Sequence, residues 1–85
     1  MEATFRIEVL TAERVVLDEV IVALQACGTE GCFGVLAHHA PFSTTLAAGP
    51  LTLRFADGRR EVLRLSGGVF EVGGNHAVVL ADTVE

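Results

Sequence analysis

Cys27, Cys32, His38 and His39 put two thiols and two imidazoles into one short stretch, and these are the side chains that hold zinc. Four residues separate the cysteines, the long end of the spacing that zinc sites use. Adjacent His38 and His39 on an extended backbone would point to opposite faces, so one ion could not draw on both. The plainer reading makes Cys27 and Cys32 small, mostly buried thiols. No metal site is assigned, and no cofactor is expected.

Nucleophilic chemistry has its residue types here too: Ser43 and Ser66, with His38, His39, His76, Asp57 and Asp82. Nothing in their spacing sets one serine against one histidine and one acid, and the nucleophile-elbow pattern is missing. The carboxylates are scattered over turns and wet faces, which gives no pair for hydrolysis. Gly28, Gly31 and Gly34 recur at three-residue spacing. A phosphate cradle would follow them with Lys-Ser/Thr and a helix N-terminus, and this stretch has no such continuation. Turns and bulges remain as their role.

Charge excludes further classes. Six Arg and no Lys stand against eleven acids, for a net charge of −5. Nucleic acid and anionic lipid both need a basic stripe, which this chain lacks. Arg59-Arg60 adjoins a turn and reads as solvated. No apolar run approaches the ~20 residues of a membrane span, and Met1–Thr4 does not resemble a signal peptide. The expectation is a soluble chain on the cytoplasmic side, with Cys27 and Cys32 reduced and able to form at most one short-loop disulfide.

The elements that would position these residues are strands. Phe5, Ile7 and Val9 alternate with Arg6 and Glu8, a period of two with one wet face. Val20–Gln25 reads as a more fully buried strand, and Val15–Leu17 as a short one. Leu51–Phe55 and Arg60–Leu65 flank Asp57-Gly58, and Val69–Val72 and His76–Leu80 flank Gly73-Gly74-Asn75, so each couple should form an antiparallel hairpin. Ala26–Ser43 is the least strand-like stretch. Eighty-five residues leave room for one domain, 1–85, with a thin core and no deep active site. The predicted fold is all-β: two antiparallel sheets packed ~10 Å apart, most simply an interaction module.

Four segments, in order, carry a family resemblance. Glu30-Gly31-Cys32-Phe33-Gly34-Val35-Leu36-Ala37-His38-His39-Ala40-Pro41 resembles the Glu-Gly-x-x-Gly-(apolar)₂-Pro-x-His-Ala-Pro loop of the F-type ATP synthase epsilon subunit. Leu65-Ser66-Gly67-Gly68-Val69-Phe70-Glu71-Val72 is similar to its Ser-Gly-Gly-x-x-Glu-Val strand, and Val78–Thr83 to its closing Val-Leu-Ala-Asp segment. Ile7–Val16 matches the opening in type. Order and spacing agree from about Phe5 to Val84.

The resemblance implies a flattened β-sandwich of about ten short strands in a non-catalytic subunit of the central stalk. Its partners would be the gamma subunit and the membrane c-ring, at the cytoplasmic face of the cell membrane and peripheral to it, and through gamma the catalytic head. It would couple proton or sodium translocation to ATP synthesis or hydrolysis. The family's c-ring contact maps onto Glu30, Gly31, Cys32 and Phe33, with Glu30 accepting from donors on the ring. The gamma contact maps onto His39 and Thr44. A loop-organising hydrogen bond is the alternative for His39, and backbone packing is the role expected of Ser66-Gly67-Gly68. Ala37 and His38 depart from the family's usual Pro and Gly. Most members continue into a C-terminal helical hairpin that carries inhibition. The chain ends at Glu85, and the expectation drawn from this is a naturally short, uninhibitory subunit. The competing reading is a free-standing binding module, metal-responsive through Cys27, Cys32, His38 and His39.

Overall fold

Alternating apolar and polar residues bury one side of each strand, and two such faces must close on each other. The computed structural model describes residues 2–85 and does this with nine strands. They are β1 (Phe5–Leu10), β2 (Val15–Ile21), β3 (Ala23–Gly28), β4 (Gly31–Leu36), β5 (Phe42–Leu46), β6 (Gly49–Arg54), β7 (Arg60–Leu65), β8 (Gly68–Gly73) and β9 (His76–Ala81). Hydrogen bonds run in the order β2-β1-β9-β8-β5-β3-β6-β7, with β4 on the other edge of β3. Val84 adds an isolated bridge to Leu65.

The result is a curled sheet folded into two layers, β2-β1-β9-β8-β5 facing β4-β3-β6-β7. Gly28 opposite Leu46 joins them. At that corner the backbones approach closely: a β-carbon on Gly28 would sit 3.1 Å from both Thr44 Oγ1 and the Thr45 carbonyl oxygen. Phe5, Ile7, Val9, Ile21, Leu24, Val35, Leu51, Leu53, Phe70 and Val79 fill the interior, and no polar residue among the described ones is buried. Each such side chain contributes about 1.5–3 kcal/mol by leaving water.

Both predicted hairpins form, β6–β7 around Asp57-Gly58 and β8–β9 around Gly74-Asn75. Three local expectations change. Val20–Gln25 is not one strand. Ile21 pairs with Phe5 in one layer and Ala23 with Leu36 in the other, so the chain changes layer at Val22, and Val20 is exposed. Ala26–Ser43 is not mainly loop, since it holds the end of β3, all of β4 and the start of β5. The pairing is not wholly antiparallel either: β1 lies parallel to β9. Alternation reports which face is wet and carries no strand direction, and these two strands meet only through the intervening chain.

Candidate functional site

β3 and β4 form a hairpin whose turn is Thr29-Glu30. Register puts Gly28 opposite Gly31 and Cys27 opposite Cys32. Cys27 directs its carbonyl away from β4, to the amide of Ala47 at 3.0 Å. The Cys27–Cys32 pair is thus of the type without hydrogen bonds between the strands, in which side chains stand closest. The two sulfurs form a disulfide, with α-carbons 3.8 Å apart. This corrects the expectation of reduced, mostly buried thiols. Cys27 is half-buried and Cys32 exposed, because both lie on the outer face of their strands.

The turn is anchored on one side. The Thr29 amide donates to the Thr45 carbonyl at 3.0 Å, and the Thr29 and Thr45 hydroxyls lie 2.7 Å apart. Glu30 follows at the apex, exposed and outside the ion pairs found among the described residues. Gly31 and Cys32 are exposed as well. Phe33 turns inward, where its ring centroid is 5.1 Å from Phe70 and 5.2 Å from Phe42. Of the four residues assigned together, three therefore face solvent and Phe33 packs.

His39 and Thr44 lie beyond the far end of β4. His38 turns the chain with φ 63°, its amide donating to Asn75 Oδ1 at 2.8 Å. The two histidines therefore do not follow each other on extended backbone. His39 Nδ1 meets the Ala40 carbonyl at 2.7 Å, the loop-organising bond that was the alternative role. Its ring lies 6.1 Å from Phe42. Thr44 is half-buried at the Gly28 corner and donates to the Thr45 carbonyl at 3.2 Å. It stands nearer in the fold to the Thr29-Glu30 turn than its grouping with His39 implies.

Three residues of the nucleophilic alternative are engaged elsewhere. Ser66 Oγ accepts from the Thr83 amide, Asp57 from the Arg59 amide, and His76 Nε2 lies 2.6 Å from Glu8 Oε1. Among the described residues, no three metal-ligating side chains cluster, so Cys27, Cys32, His38 and His39 are not brought together. Charges pair across outer faces instead. Arg6 grips Asp18 at 3.0 and 2.8 Å through two nitrogens, and this contact draws the Asp18 carboxyl below its ordinary range. Arg54 does the same to Glu2, at 3.2 and 3.0 Å.

One surface lies outside the residues that motif spacing points to. Register lines Val15, Leu10, Leu80 and Val69 into a row across β2, β1, β9 and β8 on the outer face. Val15, Leu80 and Val69 are 58, 51 and 46% exposed. The row ends at Thr45, opposite Val69, and so beside the Thr29-Glu30 turn. Its signal was the apolar residue at what alternation makes a wet position, such as Leu10 after Arg6 and Glu8.

A sequence profile of the family described as "ATP synthase, Delta/Epsilon chain, beta-sandwich domain" matches residues 4–85. The chain belongs to this family. The epsilon resemblance over nearly its whole length is thereby borne out. Its relatives include an ATP synthase epsilon chain of Moorella thermoacetica, 41% identical over 83 residues, and one of Carboxydothermus hydrogenoformans, 44% identical over 86. The alignments cover 98 and 100% of this chain but 62 and 63% of those proteins, so it spans about three fifths of their length. Among solved structures, a chain of the Euglena gracilis mitochondrial ATP synthase superposes with a TM-score of 0.93 at 23% identity, over 100% of this chain and 54% of its own. One from the Tetrahymena thermophila mitochondrial ATP synthase gives 0.82 at 16%, over 99% and 67%. At those identities the likeness is one of fold.

Proposed function

We infer that the chain acts as an epsilon-type element of an ATP synthase central stalk, peripheral to the membrane and without catalysis of its own. The observation that carries this reading is the family match along residues 4–85. Two features of the fold suit the role. A rotor element must transmit torque without deforming, and a sandwich with an all-apolar interior is stiff. It must also hold two partners at once. The exposed Glu30 turn offers a carboxylate to donors on a c-ring, while the loop around His39 and the border at Thr44 serve gamma. The apolar row from Val15 to Val69 has the character of a lasting protein contact. As a domain of its own, 1–85 would fold independently.

Co-purification tests the reading directly. The tagged chain is mixed with the gamma subunit of the same source at micromolar concentration. Association is expected, and a chain that elutes alone would sink the proposal. Substituting Val69 and Leu80 together by Ser separates the surfaces: if the apolar row serves gamma, this weakens association while a Glu30 substitution does not.

A further inference from the structure

We propose that Cys27–Cys32 is a reducible clip on the β3–β4 turn, the substrate of a small or protein dithiol, and that its redox state sets how firmly Glu30 is presented. The bond joins directly opposed residues one pair back from Gly28–Gly31, and these are the only two cysteines in the chain. It lies in the open, on a shallow outer groove lined by Gln25, Gly34, Pro50 and Thr52, and Cys32 is exposed. A dithiol can reach it without the sandwich opening.

The two halves of the turn are held unequally. Thr29 is tied to β5 by its amide and its hydroxyl. The Glu30-Gly31 half returns along β4, an edge strand that pairs with β3 alone among the described residues. A β-carbon on Gly31 would touch nothing, so no packing braces that half from outside. The disulfide is the covalent tie that holds it against β3. Reduction frees the Glu30 side and leaves the Thr29 side anchored.

The chemistry balances as thiol–disulfide exchange. One thiolate of the dithiol attacks Cys32 Sγ, the S–S bond breaks, and Cys27 leaves as a thiolate. The second thiol of the dithiol displaces Cys32. The dithiol departs as its disulfide, and two electrons and two protons reside on Cys27 and Cys32. An oxidised partner of the same class reverses the step.

The effect on the ring rests on the function proposed above, and the test keeps the two apart. The purified chain, oxidised, is treated with dithiothreitol, alkylated to count thiols, and followed by amide hydrogen exchange. Reduction is expected without denaturant, with exchange at the Gly31 and Phe33 amides, the two in this segment that face β3, at least tenfold faster and the Thr29 amide unchanged. A Cys27→Ser/Cys32→Ser variant should match the reduced chain and ignore dithiothreitol. Unchanged exchange, or reduction only once the sandwich is unfolded, overturns the clip. In the assembled synthase, dithiothreitol should lower ion pumping per ATP hydrolysed several-fold for the natural chain and leave the double-Ser complex unmoved. Faster exchange with unaltered pumping overturns the link to the ring. Failure to bind gamma in either redox state counts against the proposed function alone, because the exchange readout needs no partner.

Discussion

Gly68 and Leu80 leave no space for a side chain between them: a β-carbon on Gly68 would collide with the Leu80 carbonyl oxygen and stand 2.9 Å from the Ala81 α-carbon. The obstacle is backbone of the paired strand β9, which cannot swing aside, and Gly68 also has φ 146°. Gly68→Ala should therefore destabilise by about 2–4 kcal/mol, a fall in Tm on the order of 10–25 °C for a domain of this size. Gly34→Ala is the control, with nothing nearer than 3.7 Å and ordinary strand backbone. Its Tm should stay within roughly 4 °C. Thermal unfolding by circular dichroism decides both.

The same neighbourhood shows what the residues disclosed. Backbone packing is the role expected of Ser66-Gly67-Gly68, and the close approach of Gly68 to Leu80 is that packing. Gly74-Asn75 announces its hairpin because positive φ at both residues of a two-residue turn is a local demand, whereas Asp57-Gly58 closes a three-residue loop, Ala56–Gly58, with positive φ at Gly58 alone. Gly28 and Gly31 did not announce theirs: glycine signals a turn and a close approach alike, and Gly28 serves the approach of β5. The disulfide depends on which residue ends up opposite which, a register set by a two-residue turn at Thr29-Glu30 that those glycines obscured. The crossing at Val22 lies between apolar residues on both sides, so hydropathy shows no boundary there. The exposed Glu30 and the bond from His39 to its own loop were within reach of motif spacing. The row from Val15 to Val69 was not, because it exists only once four strands are in register.

The acid limb of stability should trace to two surface ion pairs. The Arg6 guanidinium holds Asp18 below the ordinary carboxylate range, and Arg54 does the same for Glu2. A carboxylate whose folded pKa is depressed contributes stability that is complete above its unfolded pKa and is lost as pH falls through the folded one. The loss should therefore begin near pH 4 and grow below it. Asp18→Asn should flatten stability between about pH 4 and pH 2 relative to the parent, and Glu2→Gln should do so too. High salt should shrink both differences, since all four side chains are substantially exposed. Urea midpoints across the pH series measure this; curves that stay parallel to the parent's would contradict it.

Glu30→Arg should act on coupling and spare the fold. Glu30 sits at an exposed turn with no hydrogen bond of its own among the described residues, so a long polar replacement costs within ~0.5 kcal/mol. In the reconstituted complex, ion pumping per ATP hydrolysed should fall several-fold, because a guanidinium repels the donors that a carboxylate would bind. Glu30→Gln should fall between the two, keeping an acceptor without the charge. A large drop in Tm for Glu30→Arg would instead make the residue structural.

The aromatic group under the turn separates packing from contact. Phe70 is fully buried, with Phe33 at 5.1 Å and Phe42 at 6.2 Å, while Phe42 is 38% exposed. Phe70→Ala should cost about 3–5 kcal/mol, the range for losing a buried ring and leaving a cavity. Phe42→Ala leaves a gap that opens to water, and should cost about 1–2 kcal/mol. Phe33 and Phe42 meet edge to face at 69°, so their double-mutant cycle should return a coupling of roughly 0.5–1.5 kcal/mol. Phe33 also closes the interior beneath β4, two residues from Gly31. Phe33→Leu should keep most of the stability yet loosen the edge strand, and hydrogen exchange over β4 would then rise ahead of that over β3. Equal exchange in both strands would mean that the edge is held by its pairing to β3 and not by the ring.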